Sequence, residues 1–272
     1  MENFVQWENF IDIAPYASLF RQGLVVTILL SIFTVLIGFV LAVILALMRM
    51  SSFRPFLWLA HAFPGTFGFF ERDREGLQRD SGFLYHLGRF NPLSFLATAY
   101  VEILRSTPVI VQIFIIYYGV FGLISLPTFK LFGFISFNRF FPGVVALGMN
   151  DGAYLCEILR SGIQSVDGGQ TEAARSLGLR QGQNLRFIVF PQALKNILPA
   201  IANEFVVIIK ESAITYTIGV QDIMSVVQAV RGATYIIIEP LLVATALYFC
   251  LCFPTSKLIA YIERRMRRGD SR

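Results

Sequence analysis

The sequence predicts an all-α fold: a polytopic helical membrane protein with about five transmembrane helices. Three observations carry this. Of 272 residues, 55 % are hydrophobic and only 15 % are charged, well short of the roughly one quarter charged that a soluble domain carries. The run Gly23–Met48 is 26 residues without a charge, long enough to cross the hydrocarbon with some tilt. The basic residues also segregate. With five spans and the N-terminus outside, segments 49–92, 160–195 and 257–272 hold 17 of the 23 Lys and Arg, and segments 1–22, 119–140 and 211–238 hold 4. That bias obeys the positive-inside rule and sets the C-terminus in the cytoplasm.

Residues 1–22 form the first unit. They show no basic n-region and no small-residue cleavage site, so they do not read as a cleaved signal peptide. They are either a segment lying at the membrane surface, with Trp7 and Tyr16 as interfacial aromatics, or a frayed tail. The membrane domain then runs over 23–262. Within it, 53–91 reads as a cytoplasmic insertion. Its part Pro55–Phe70 is 16 residues long and broken by Pro64 and Gly65, which suits an interfacial segment better than a span. The mixed-charge run ERDREGLQRDSGF follows and must stay outside the hydrocarbon. An added contact, a regulatory element and a neutral insertion are all open for it.

Pro92–Phe121 is the second span, tilted or kinked, and its apolar run is interrupted by Glu102, Arg105 and Pro108. These two are three apart and can pair on one helix face, as a structural ion pair or as part of a gate. Gly119–Arg139 reads as a re-entrant or surface connection. Phe140–Ile163 is the third span. Its polar residues Asn150, Asp151 and Tyr154 are candidates for lining a path through the membrane, although Asn150 could equally join helices. Glu157 and Arg160 are a second candidate structural pair.

The stretch 165–191 is polar yet lies between apolar runs. Asp167 can cap a helix, with Gln170 reaching back as in a capping box. Thr171–Leu177 then reads as a short helix on which Ala173 and Leu177 share a face. Gly178 ends it in the left-handed conformation. A second amphipathic segment runs from Gln181 to Phe190, and Pro191 either interrupts it or opens the next helix. Beyond it, the fourth span is broken by Lys210, Glu211 and Ser212. Asn203, Glu204, Lys210 and Ser212 join the candidates for the path. Lys210 could meet an anionic group or simply pair with Glu211. Gln221–Thr234 reads as a short external helix, Glu239–Tyr261 as the last span, and 263–272 as a basic cytoplasmic tail.

Four stretches together resemble the membrane subunit of a bacterial ABC importer for polar amino acids. The family's EAA signature is E-A-A, three residues, G, nine residues, I, one residue, a large apolar residue, P. Glu172, Ala173, Ala174, Gly178, Ile188, Phe190 and Pro191 match it in order and spacing. VEILRSTPVIVQ over 101–112 is similar to the family's E-x-x-R-G-T-P-x-x-V-Q, with Ser106 where glycine is usual. NDGAYLCEILRSGI over 150–163 departs from the family only at Asp151 and Ser161. NEFVVIIKESAI over 203–214 resembles a further family stretch. The 53–91 insertion is the main departure.

The resemblance implies a type I importer transmembrane fold in the inner membrane. It makes 165–191 a coupling loop that docks into an ATP-hydrolysing subunit through Gly169, Glu172, Ala173, Ala174, Gly178, Leu179 and Pro191. It also implies a second permease, identical or homologous, an extracytoplasmic amino-acid-binding protein, and ATP and Mg held by the partner ATPase.

The chain itself has no G-x-x-x-x-G-K-[ST] phosphate loop, so it is not the ATPase and is expected not to be an enzyme. His61 and His86 stand in no metal-ligand spacing, and Cys156, Cys250 and Cys252 read as packing residues. No cofactor or metal is therefore expected on this chain. No aromatic–basic interleaving suggests nucleic acid. An ion-coupled transporter or channel would account for the intramembrane polar residues but not for the EAA spacing. A non-transporting scaffold would leave Asn150, Asp151 and Lys210 dispensable.

Overall fold

In this computed structural model, residues 5–51 and 90–267 are described. The expected interfacial segment, the charged run, both histidines and the last five residues of the tail lie outside them. The fold is all-α and polytopic. Among the described residues two helices are long and apolar enough to cross a membrane, or three if the bent pair around Pro108 counts as one span.

The described N-terminal residues are helical and tied to the bundle rather than frayed. Helix α1 (Asn9–Ile13) runs through a 3-10 turn (Ala14–Tyr16) into α2 (Ala17–Met50). The backbone N–H of Gln6 and the side-chain amide of Asn9 both donate to Glu239 Oε1, at 3.0 and 2.8 Å. Ile13 is buried with Phe20, Val226 and Val230. Trp7 alone keeps the exposure expected of an interfacial aromatic, at 80 %.

Helix α2 separates two faces. Ile32, Phe33, Leu36, Phe39, Val40, Ile44 and Leu47 point outward. Thr27, Ser31, Thr34, Gly38 and Ala42 point inward and are buried. They pack on α5 (Phe137–Gln164), which answers with Gly148 and Gly152. A Cβ on Gly148 would lie 3.0 Å from Ile37, and one on Gly152 would lie 3.0 Å from Leu41. In a bilayer, where lipid tails are as apolar as leucine, such small-residue stripes let two helices gain contact that lipid cannot offer.

The chain leaves the described part after Ser51 and re-enters before Asn91, whose side-chain amide donates to the Ser51 carbonyl. Asn91 also caps α3 (Pro92–Ser106): its Oδ1 accepts from Ser94 N–H at 3.1 Å, with Pro92 opening the helix. Thr107 and Pro108 are extended, and α4 (Val109–Phe114) leaves at 112° to α3. It continues through a π turn (Ile115–Val120) and a 3-10 turn (Phe121–Leu123).

The following connection holds a small antiparallel hairpin, β1 (Lys130–Leu131) with β2 (Ile135–Ser136), pairing Lys130 with Ser136 and Leu131 with Ile135. Phe132 and Gly133 both take positive φ at its tip, as tight hairpin turns require.

After α5 come α6 (Gly168–Ser176), α7 (Gln181–Asn184), a π turn (Leu185–Val189) and α8 (Phe190–Glu211). Pro191 therefore opens α8, standing in its first turn, where a missing N–H costs no intrahelical bond, with the π turn just before it. At Ser212 the α8 helix tightens into a 3-10 helix (Ser212–Ile218), ended by Gly219 at φ 80°. The external helix is α9 (Ile223–Thr234), capped by Asp222 Oδ1 on Ser225 N–H at 2.9 Å. Helix α10 (Ile238–Arg267) carries the chain to its described end, through Pro254.

Candidate functional site

The EAA stretch forms a compact helical loop between α5 and α8. Asp167 caps α6 by accepting from Gly169 N–H at 2.7 Å. The reciprocal bond expected from Gln170 is replaced by its backbone N–H donating to the Asp167 carbonyl at 3.1 Å. The helix covers Gly168–Ser176, starting three residues earlier than expected. Gly178 takes φ 80°, and the N–H groups of Gly178 and Leu179 close the end on the carbonyls of Arg175 and Ala174.

Glu172, Ala173, Leu177 and Gly178 are exposed, Leu177 by 83 %, whereas Ala174 is buried against the loop's own interior. The Asn184 amide donates to Thr171 Oγ1 at 3.2 Å, tying α7 to α6. Leu179 is half-buried, and Gly169, Phe187, Phe190 and Pro191 are exposed. A small apolar knob, Leu177, thus stands beside a glycine on a loop whose inner side is closed by hydrogen bonds.

The base of this loop is stitched to the bundle. Gly162, near the end of α5, touches Ile197 of α8: a Cβ there would fall 2.2 Å from Ile197 Cγ1. One turn on, the Asn196 amide donates to Ser165 Oγ at 2.9 Å, and Ser165 donates to the Gly162 carbonyl. A displacement of the loop therefore moves α5 and α8 together.

Close to the base lies a charged cavity of about 400 Å³, lined by Arg49, Thr98, Glu102, Arg105, Glu157 and Arg160. Glu157 and Arg160 pair, and Arg49 NH1 reaches the same carboxylate at 2.8 Å. Arg49 Nε also donates to Thr98 Oγ1 at 3.3 Å, so one guanidinium joins α2, α3 and α5. Glu102 and Arg105, by contrast, form no ion pair with each other among the described residues. Arg105 instead stands over the Tyr154 ring, 5.4 Å from its centroid. The residue that sequence reasoning missed here is Arg49. It reads as the charge that ends a span, and nothing in its neighbourhood signals a partner 108 positions away.

Asn150 and Asp151 point to different neighbours. The Asn150 amide donates to Gln112 Oε1 at 3.0 Å and to the Leu104 carbonyl at 3.4 Å. Gln112 donates to the carbonyls of Leu104 and Thr107 and to Thr107 Oγ1, at 2.8, 3.0 and 2.8 Å. These two amides satisfy the backbone that the Pro108 bend leaves open. Asp151 is fully buried between α5 and α2. A Cβ at Gly38 would lie 2.2 Å from its Oδ2.

Asn203 and Lys210 are exposed, Glu204 is half-buried, and Ser212 is buried and donates to the Ile209 carbonyl at 2.8 Å. A second cavity, of about 340 Å³, brings Lys210 and Glu211 together with Val109, Ile214, Tyr216 and Met224. Ammonium and carboxylate side by side in an otherwise apolar cavity suit a small zwitterion. Among the described residues no cluster of three His, Cys, Asp or Glu could hold a metal ion.

The family described as "Binding-protein-dependent transport system inner membrane component" matches residues 81–268. The arginine transport system permease protein ArtQ of Bacillus subtilis (strain 168) is 32 % identical over 262 residues, covering 96 % of this chain and 99 % of that one. The nopaline transport system permease protein NocM of Agrobacterium fabrum (strain C58 / ATCC 33970) is 39 % identical over 184 residues, covering 66 % of this chain and 75 % of that one. Among solved structures, the crystal structure of an amino acid ABC transporter with histidines superposes with a TM-score of 0.74 at 34 % identity, covering 97 % of this chain and 100 % of that one. An inward-facing methionine ABC transporter, MetNI, superposes at 0.63 with 16 % identity, covering 93 % of this chain and 98 % of that one, a likeness of fold alone.

Proposed function

Because the chain belongs to the binding-protein-dependent transport system inner membrane component family, we infer that it is the permease subunit of an ATP-driven importer, coupled through residues 165–191 to a separate ATPase. It is a transport subunit and not an enzyme. The observation that carries the reading is the EAA loop: a capped helix ended by a left-handed glycine, Leu177 standing out from it, and a base pinned to α5 and α8.

In this reading the chain crosses the inner membrane five times, with the N-terminus outside and residues 263–272 in the cytoplasm. The bent pair α3–α4 and the run from α7 through the 3-10 helix are the two spans with polar breaks. Irregular backbone at membrane depth is tolerated where it lines a path or is buried in protein. Residues 53–91 are an inserted excursion, and the Ser51–Asn91 hydrogen bond supports this because both ends meet at one point.

ATP and Mg belong to the ATPase, and an extracytoplasmic binding protein delivers the substrate. Closure of two ATPases pushes two EAA loops, and the pinned base carries that push to α5 and α8 together. A polar amino acid is the substrate class supported by the relatives, whose names specify arginine and nopaline, and by the Lys210–Glu211 cavity. Glu204, Asn203 and Tyr154 extend that path, with Asn150, Asp151 and Ser212 behind it as supports.

Purification of the tagged protein in mild detergent with mass spectrometry of its companions tests this. An ABC ATPase and a binding protein are the expected companions. A chain that comes down alone, under conditions that hold a control importer together, overturns it.

A further inference from the structure

A cavity of about 380 Å³ opens between the N-terminal helices and α10. Its floor is Ile13 and Phe20, both buried. Phe10, Leu24, Val243 and Leu247 are its half-buried walls, packed on the same cluster. Ala14, Ala17 and Arg21 form the mouth, and all three are exposed. Every lining residue but Arg21 is apolar. Four of them come from α2 alone. Ala17, Phe20, Arg21 and Leu24 stand at i, i+3, i+4 and i+7 of one continuous α-helix, and so share a face.

Depth orders this cavity. The charge-free run Gly23–Met48 is 26 residues long, about 39 Å of helix, and Arg21 lies about 22 Å from its middle. Hydrocarbon ends about 15 Å from the middle of a bilayer, and the headgroups end at about 20–22 Å. Arg21 therefore stands at the level of the lipid phosphates. Glu239 ties the start of α10 to Gln6 and Asn9, so α2 and α10 enter the membrane from the same surface. Leu24 is then deeper than Arg21, and Leu247 one turn deeper than Val243. The walls lead from the charge into the hydrocarbon.

Arg21 is the sole basic residue among residues 1–48. Its guanidinium pairs with no carboxylate among the described residues. Glu8 and Asp12, the acids nearest to it in sequence, line no part of the cavity. A boundary arginine needs no cavity, and a protein partner gives no reason for this order of charge and depth. A phospholipid has that order. Its phosphate oxygens accept the fork of guanidinium N–H donors, and an acyl chain fills the slot below. A zwitterionic headgroup brings its own ammonium against the arginine, whereas an anionic one brings none. We propose that this cavity binds one anionic phospholipid, with its phosphodiester on Arg21 and an acyl chain along Leu24 and Leu247. The proposal rests on α2 and α10 crossing the membrane, and not on the coupling loop.

Native mass spectrometry of the importer complex, delipidated in mild detergent and titrated with phosphatidylglycerol or phosphatidylethanolamine, tests it. One phosphatidylglycerol per permease chain is expected, bound about tenfold or more tightly than phosphatidylethanolamine. Arg21→Gln should weaken it by about tenfold or more. Ala17→Leu, which fills the mouth and keeps the charge, should remove it, and Leu36→Trp on the outward face of α2 should not. Should Arg21→Gln fail to insert, Ala17→Leu decides. Equal binding of the two lipids, or binding that survives the variants, overturns the site, and so does a polypeptide retained in place of lipid. Lipid absent from a complex that keeps its ATPase overturns the site and leaves the permease reading standing. Lipid bound as expected to a chain that brings no ATPase does the reverse.

Discussion

Gly162→Ala is the smallest change that should part the coupling loop from the bundle. The added Cβ would lie 2.2 Å from Ile197 Cγ1 and 3.0 Å from its Cδ1. Carbon atoms rest at about 3.5 Å or more, so the methyl is short of room by about 1.3 Å, against a side chain that is itself 2 % exposed. Either Ile197 leaves its rotamer or α5 and α8 separate, and overpacking of this kind costs about 1–3 kcal/mol. The strain falls beside the Ser165–Asn196 bond, at the base of the loop. If it opposes the conformation in which loop and helices move together, uptake drops roughly 5- to 150-fold.

The assay is ATP-driven uptake in proteoliposomes, with thermal stability of the purified complex measured alongside. Ile197→Ala removes the obstructing atoms, at its own cost of a cavity. The double variant should therefore be less impaired than the sum of the two singles, by at least about 0.5 kcal/mol. Additive losses, or a Gly162→Ala protein with normal stability and uptake, would refute the reasoning.

Other consequences follow from the same geometry. Gly178→Val has open space for its side chain but forces a β-branched residue to φ 80°, a strain of about 1–2 kcal/mol. ATP hydrolysis should persist while uptake falls, and Gly178→Asn should be milder; the ratio of substrate moved to ATP hydrolysed checks both. Asn150→Ala leaves Gln112 Oε1 without its donor at the bend and should lower stability by about 0.6–1.7 kcal/mol, seen as a lower melting temperature of the complex. Lys210→Gln should raise the substrate concentration for half-maximal uptake by about tenfold or more while the ATPase still co-purifies; unchanged uptake would remove Lys210 from the path.

What could be read from the sequence was what is local. The spacing from Glu172 to Pro191, the left-handed Gly178, the interruption at Pro108 and the short outer helix within 221–234 each depend on residues within a turn or two. The unreadable parts depend on distant partners. Gly38 is an ordinary glycine in an apolar run until Asp151 packs on it from 113 positions away. Arg49 looks like a boundary charge until Glu157 meets it.

Glu102 and Arg105 had the spacing of a pair, yet Tyr154 offers the guanidinium a ring and the pair is not made. Ala173 and Ala174 are neighbours in the signature, but helix geometry turns one outward and buries the other. Pro191 stands in the first turn of α8, one of the two places its spacing allows, while the π turn before it is invisible to residue propensity. The anchor of the N-terminal helix, Glu239, lies 230 positions beyond Asn9.

The central claim is that this chain moves substrate only when a separate ATPase acts on the 165–191 loop. Uptake of a labelled amino acid into proteoliposomes, with the purified complex and binding protein present and every ion gradient dissipated, tests it most directly. The account predicts uptake with ATP on the ATPase side and none without it, or with the loop altered at Leu177→Asp. Uptake that proceeds without ATP, whether in this assay or on restoring an ion gradient, or that survives Leu177→Asp undiminished, would contradict it.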